Sequence, residues 1–414
     1  VRRALIAAAW VSVTVSLFGT GADAQAAACN VFGEQTIAGG IDSTEIGELS
    51  GLAASREHPG VLWAHNDSGD TARIFALGED GAGLGTYTLP GVDATDWEDI
   101  AVGPGAAPGA SAIFIGDIGD NLLARNDGVL VHRVTEPADR PDGTDRTLAE
   151  PDTLVLQYPN GPADAEALIV DPLSGDLVIV TKDLLGNSRA LTAAAADLVA
   201  GTPLTLTDAG AVTIDPSLGG SLVGLPSTMI TAADVTPDGR WVLVRTYQAV
   251  LAFERPDGEP LVAAFESTPC TVPSATEPQG EAIAVTSDGS AYLTASEVLG
   301  AIDRGELPAG APAVITRVAI DPPAAPATEP PATEPPATEP PATEPPATEP
   351  PATTGPDTTE PDTTEPDTTE PATTAPAEGS RNPIGLTLAL PLVGGVVIGL
   401  ALLIRRRRAG LSSS

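Results

Sequence analysis

Lysine occurs once in the chain, at Lys182, cysteine twice and histidine three times. Three histidines (His58, His65 and His132) with two cysteines cannot supply a zinc cluster. No GxSxG nucleophile elbow is present, which argues against a serine triad and leaves water attack, assisted by a metal or a carboxylate, as the form any hydrolytic chemistry would take. Cys29 and Cys270 lie far apart and point to a single disulfide tying an early segment to a late one, rather than to a catalytic thiol or a metal site. Positive charge is scarce: 20 Lys and Arg face 56 Asp and Glu, for a net charge of −36. That balance excludes nucleic acid and anionic lipid as partners, and suits divalent cations, a basic partner or solubility in salt.

Long apolar runs are confined to the two ends. Residues 1–24 combine Arg2 and Arg3 with an apolar stretch and a small-x-small site, and read as a secretory signal peptide. Residues 383–404 are uncharged and long enough to cross a bilayer of about 30 Å, and residues 405–414 form a tail opening on four arginines that should stay cytoplasmic. Residues 322–380 repeat Pro, Ala, Thr and Glu with a five-residue period, which cannot bury a core and favours an extended stalk of up to roughly 180 Å at about 3.1 Å per residue. The stalk threonines are candidates for O-linked sugars. The expected layout is a single-pass cell-membrane protein with an extracellular, monomeric head over residues 25–321, itself near a charge of about −30.

Within the head one theme recurs five times. "LSGLAAS", "WEDIAVG", "AEALIVD", "AADVTPD" and "GEAIAVT" each pair a polar start with alternating apolar residues. Each leads through a Gly, Pro or Asp turn into a second β-branched run: "VLWAHND", "AIFIGDIGD", "LVIVTKD", "WVLVRTY" and "AYLTASE". Third runs follow in every unit. Fourth runs ("GTYTL", "TLVLQY", "LTLTD" and "LVAAF") follow in four, and "NVFGEQTIAG" is left over to complete the fifth. This is an all-β propeller of four-stranded blades closed by a strand from the other terminus, five by repeat count, with six left open by the uneven spacing.

In a blade the first strand leaves one mouth of the central channel and the second returns to it. The polar starts (among them Glu98, Asp99, Asp164, Glu166, Asp234, Gln279 and Glu281) should therefore share one mouth with the second-strand ends. Those ends bring His65, Asn66, Asp67, Asp70, Asp117, Asp120, Asn121, Lys182, Asp183, Arg245 and Glu297. Hard cations take oxygen ligands. "HNDSGD" makes Asn66, Asp67 and Asp70 candidate calcium or magnesium ligands, its echo "GDIGDN" adds Asp117 and Asp120, and His65 and Asn121 are candidates to contact a bound polar ligand. The same residues equally suit turn caps, and His65 is a weak candidate for a general base.

The ordering of "SGLAAS...LWAHNDSGD", "DWEDIAVG...GDIGDN", "DAEALIVDP...VTKD", "TAADVTPDGRWVLVRTY" and "EPQGEAIA" resembles secreted bacterial phytase-like or esterase-like β-propellers. The resemblance implies channel carboxylates that bind calcium and bring a phosphate ester to an activated water. By it, Asp67, Glu98, Asp99, Asp117, Glu166 and Glu281 would be ligands or bases, and Lys182 and Arg245 would hold an anionic substrate. The dense acidic runs and multiple basic residues suited to a highly phosphorylated substrate are missing, which disfavours phytate itself. Two functions follow as expectations: a displayed propeller binding a cation and a small or extended polar ligand or an extracellular protein, or a metal-dependent hydrolase of phosphate or carboxylic esters. A purely structural or adhesive role is compatible with the same fold.

Overall fold

The computed structural model describes residues 30–67, 69–184, 186–215, 228–274 and 276–320. The signal peptide, stalk, membrane segment and basic tail expected from the sequence lie outside them. Among the described residues no helix is long and apolar enough to cross a membrane.

The strands assemble five antiparallel blades, as the repeat count predicts. Blade one holds β2 (Leu49–Ala54), β3 (Val61–Asn66), β4 (Arg73–Gly78) and β5 (Gly83–Thr88). Blade two holds β6 (Trp97–Pro104), β7 (Ser111–Asp117), β8 (Val129–Thr135) and β10 (Asp152–Gln157), while the short β9 (Arg146–Thr147) pairs in parallel with β5 of blade one. Blade three holds β11 (Ala165–Val170), β12 (Leu177–Thr181), β13 (Asn187–Ala193) and β15 (Thr207–Thr213), and its β14 (Leu204–Thr205) reaches back to β10. Blade four holds β16 (Ile230–Val235), β17 (Trp241–Thr246), β18 (Val250–Glu254) and β19 (Cys270–Val272). Blade five holds β20 (Gly280–Val285), β21 (Ala291–Ser296) and β22 (Ala313–Ile320), completed by β1 (Phe32–Ile41) from the other end of the chain. The added β9 and β14 cover edges that would otherwise offer unpaired backbone groups.

Two fourth strands differ from the sequence expectation. "LVAAF" belongs to a 3-10 helix, Leu261–Glu266, because its buried residues Leu261 and Ala264 recur every third position after Pro260 rather than alternating. The outer strand of blade four is Cys270–Val272 instead. "LTLTD" is split between β14 and the start of β15, with Leu206 buried at the join.

The inner strands touch in a closed cycle, β2 to β6 to β11 to β16 to β20 and back to β2. All residues of β2, β11 and β20 are buried, since a neighbouring blade packs on each face, whereas β15 alternates exposed and covered positions. Each of five apolar clusters fills one blade-to-blade interface, so the core is a ring of five layers. The ring closes where β1 pairs with β22 from Phe32↔Ile320 to Ile41↔Ala313. Phe32 also meets Trp241 of blade four edge to face at 5.4 Å, which ties the closing strand to the neighbouring blade. Cys270 is buried in the same cluster, and its expected partner Cys29 lies outside the described residues.

Candidate functional site

Every blade carries a β-bulge at the same place, the second residue or so of its inner strand. The extra residues are Ser50, Glu98, Glu166, Thr231 and Glu281. A bulge leaves one residue unpaired and re-aims its side chain. In blades one and four the bulged residue is a hydroxyl used for blade-to-blade contact: Ser50 Oγ donates to the Glu98 carbonyl at 2.5 Å and Thr231 Oγ1 to the Gly280 carbonyl at 2.8 Å. In blades two, three and five it is a glutamate.

These glutamates are the centre of an acidic mouth. Carboxylate oxygens of Asp67, Asp96 and Glu98 lie within 4.8 Å of one another, and so do those of Glu98, Asp164 and Glu166, making Glu98 common to both trios. Lys182 pairs with Glu166 and stands 5.1 Å from the Tyr247 ring centre. Glu281 accepts from Gln279 Nε2 at 2.8 Å through Oε1, while its buried Oε2 has no hydrogen-bond partner among the described residues.

Crowding raises these acids. Burial and the charges of Glu166 and Asp67 push Glu98 well above the usual carboxylate range. Asp96 is pushed up to about 7, by burial first and then by Asp67 and Asp164. Burial takes Glu166 to about 8 despite the opposing pull of Lys182. Glu281 is raised by burial and by Glu166. Lys182 and, for Asp96, Arg125 pull the other way without bringing these acids back to the usual carboxylate range.

The other sequence candidates separate into different roles. Asp99, adjacent to Glu98, does not share its site. Its carboxylate accepts backbone N–H groups of Ile100 (2.9 Å), Leu168 (2.9 Å) and Ala233 (3.3 Å), and burial raises its pKa against their pull. Blades two and four are not neighbours, so this side chain ties inner strands to one another across the ring. Asn66 bonds the Glu45 carbonyl and Asp70 at 2.8 Å each, and Asp70 pairs with Arg73 at 3.0 Å, so both brace the loop after β3. Asp117 takes Arg125 at 2.6 Å. Asp120 accepts the Ala124 and Arg125 N–H groups at 2.8 Å, capping the loop after β7 on which Asn121 stands exposed. Of the "HNDSGD" and "GDIGDN" residues, only Asp67 joins a trio.

His65 is fully buried. Its Nδ1 bonds the Asn66 carbonyl at 2.8 Å, and burial lowers its pKa to about 4, so it is a neutral core residue at pH 7 and a poor general base. Gly51 makes room for it, since a Cβ there would overlap the imidazole. Arg245 is 2% exposed and pairs with Glu277, in the loop before β20, while its Nε and Nη1 have no hydrogen-bond partner among the described residues. Residues that the sequence reading passed over include Asp96, Glu277 and Tyr247. The signal for Asp96 was present, because "DWE" and "DAE" place an aspartate two residues before each of two bulged glutamates, and "QGE" repeats the spacing with an amide.

No known protein family matches the sequence, and no curated protein matches it. Among solved structures, a luciferin-regenerating enzyme is similar at a TM-score of 0.36 and 10% identity, covering 66% of this chain and 92% of that one. U3-55K gives 0.33 at 12% identity, covering 66% of this chain and 67% of that one. The WD40 repeats of RRP9 give 0.31 at 12%, again over 66% and 67% of the two chains. At these identities the likeness says nothing of chemistry, and the β-propeller assignment stands on the strand pairing of the chain itself.

Proposed function

We propose that the chain is a displayed extracellular propeller whose glutamate-lined mouth binds a divalent cation, calcium being the first to test, and through it a polar ligand. The observation that carries this reading is the pair of carboxylate trios sharing Glu98. Asp67, Asp96, Glu98, Asp164 and Glu166 present oxygens only, the donor set that calcium and magnesium take. The unpartnered Glu281 Oε2 gives the neighbouring blade an acceptor with nothing to accept. Extracellular display rests on the signal-like and membrane-like ends of the sequence.

The test is thermal unfolding of the full chain in calcium and in chelator, with Glu98→Gln beside the wild type. Calcium at about a hundred times its Kd should stabilise the folded state by about 2.7 kcal/mol, and the substitution should remove most of that gain. Equal melting temperatures in calcium, magnesium and chelator would discard the cation site.

One observation favours the hydrolytic alternative. Glu166 keeps its proton to about pH 8 while sharing a trio with Glu98 and pairing with Lys182, which suits a general acid beside a cation-held ester. Turnover of phosphate or acyl esters, lost in Glu166→Gln with folding intact, would establish it.

A further inference from the structure

The opposite end of the channel holds a second cavity, unrelated to the acidic mouth. It has a volume of about 180 Å³, and inner strands of four blades bring Ala54, Val102, Val235 and Val285 to its wall near their far ends. This is room for several waters or a small organic molecule. Its polar residues include Arg56, Asp234 and Thr286.

Arg56 is the one basic residue on its wall, and its charge pulls the Asp234 pKa down against burial. The residue is half-buried, and its guanidinium makes no hydrogen bond or ion pair among the described residues. Burial lowers its pKa, with Asp234, Glu136 and Asp171 acting the other way. Yet each of those acids is already supplied with donors. Glu136 accepts Trp63 Nε1 at 2.9 Å and Ser111 Oγ at 2.7 Å. Asp171 pairs with Arg255 at 3.1 Å. Asp234 accepts the backbone N–H groups of Val235 and Val285 at 2.7 Å each. A partly desolvated guanidinium without an acceptor is costly.

We propose that this cavity binds a small organic carboxylate, its anionic head taken by the Arg56 fork and its hydrocarbon part lying against the valine-lined wall. The planar guanidinium matches a carboxylate in bidentate fashion. A singly charged head meets less repulsion from Asp234 than a phosphate dianion would, and the apolar wall gives nothing to the outer oxygens of an inorganic oxyanion. Thr286 is not a competing donor, because its hydroxyl is committed to Asp288 at 2.7 Å.

The test is calorimetric titration of the full chain with butyrate, and with butylamine, butanol and inorganic phosphate as comparison probes, in chelator so that the acidic mouth is silent. Saturable butyrate binding is expected, with no binding of the amine or the alcohol and little of phosphate. Arg56→Gln should weaken butyrate by about tenfold or more, and Arg56→Lys should retain part of the affinity. Absence of saturable butyrate binding to the wild type overturns the proposal whatever the variants do. So does phosphate binding tighter than butyrate, or a folded Arg56→Gln chain with unchanged affinity.

Discussion

The two mouths of one channel are built from the same five inner strands and have opposite chemistry. At one, three bulged glutamates with their aspartate neighbours outnumber a single lysine; at the other, one arginine lacks an acceptor while every acid around it is occupied. The connections differ too. At the arginine end, hairpins such as Pro237–Gly239 and Ser287–Gly289 are tight turns whose glycines take φ of 73° and 70°. At the glutamate end two connections are long, 118–128 and 297–312, and in the first Leu123 holds φ of 50°, the one described non-glycine residue at positive φ. One end is stabilised by turn chemistry and the other gives up regularity to gather charge. Asp99 sits between them, joining β6 to β11 and β16.

The largest expected effect comes from removing that junction. Asp99→Ala would leave three buried N–H groups without an acceptor, at about 1–3 kcal/mol each before relaxation, so a loss of about 3–5 kcal/mol is expected in urea unfolding. A loss below about 1 kcal/mol would mean that Asp99 does not hold the inner strands together.

A smaller effect is expected from pH and is larger at the glutamate end, since Asp234 at the other end is raised only to about 6. Asp96, near 7, and Glu166, near 8, keep protons in the folded chain that the unfolded chain releases by about pH 5. The folded state then binds more protons than the unfolded one from about pH 4 to 8. Stability should therefore fall as pH rises through that window and level off above the folded values. With Asp96 partly exposed, a fall on the order of 3 kcal/mol is expected in chelator, and calcium, replacing the protons, should flatten it. A flat profile in chelator would remove the contrast between the ends. The smallest effect is Leu123→Asn, which relieves a left-handed backbone and should add about 0.5–1 kcal/mol without altering either mouth; a loss of calcium response in this variant would make the strained loop part of the site.

The propeller was legible because its evidence is periodic. Alternating runs, "PDGR" and "SDGS" turns, and a leftover N-terminal strand each follow from local backbone preferences. The site was legible only in outline. Glu98 and Asp99 stand side by side in "WEDI" and would share a task in an unbroken ladder, but a one-residue bulge sends the first to the mouth and the second across the ring. Arg56 sits in "SREHPG", which reads as a turn, and its isolation depends on how Glu136, Asp171 and Asp234 are already bonded. Such accounting needs coordinates, because no local pattern encodes who is already engaged.

The closing strand has a mechanical consequence. β22, the last described strand, is hydrogen-bonded on both sides, to β1 and to β21. Tension transmitted along the chain beyond Ile320 therefore loads a strand held by two antiparallel ladders, which must slide together, rather than an edge that unzips one bond at a time. In the proposed tethered arrangement, that load would meet a strand paired on both sides.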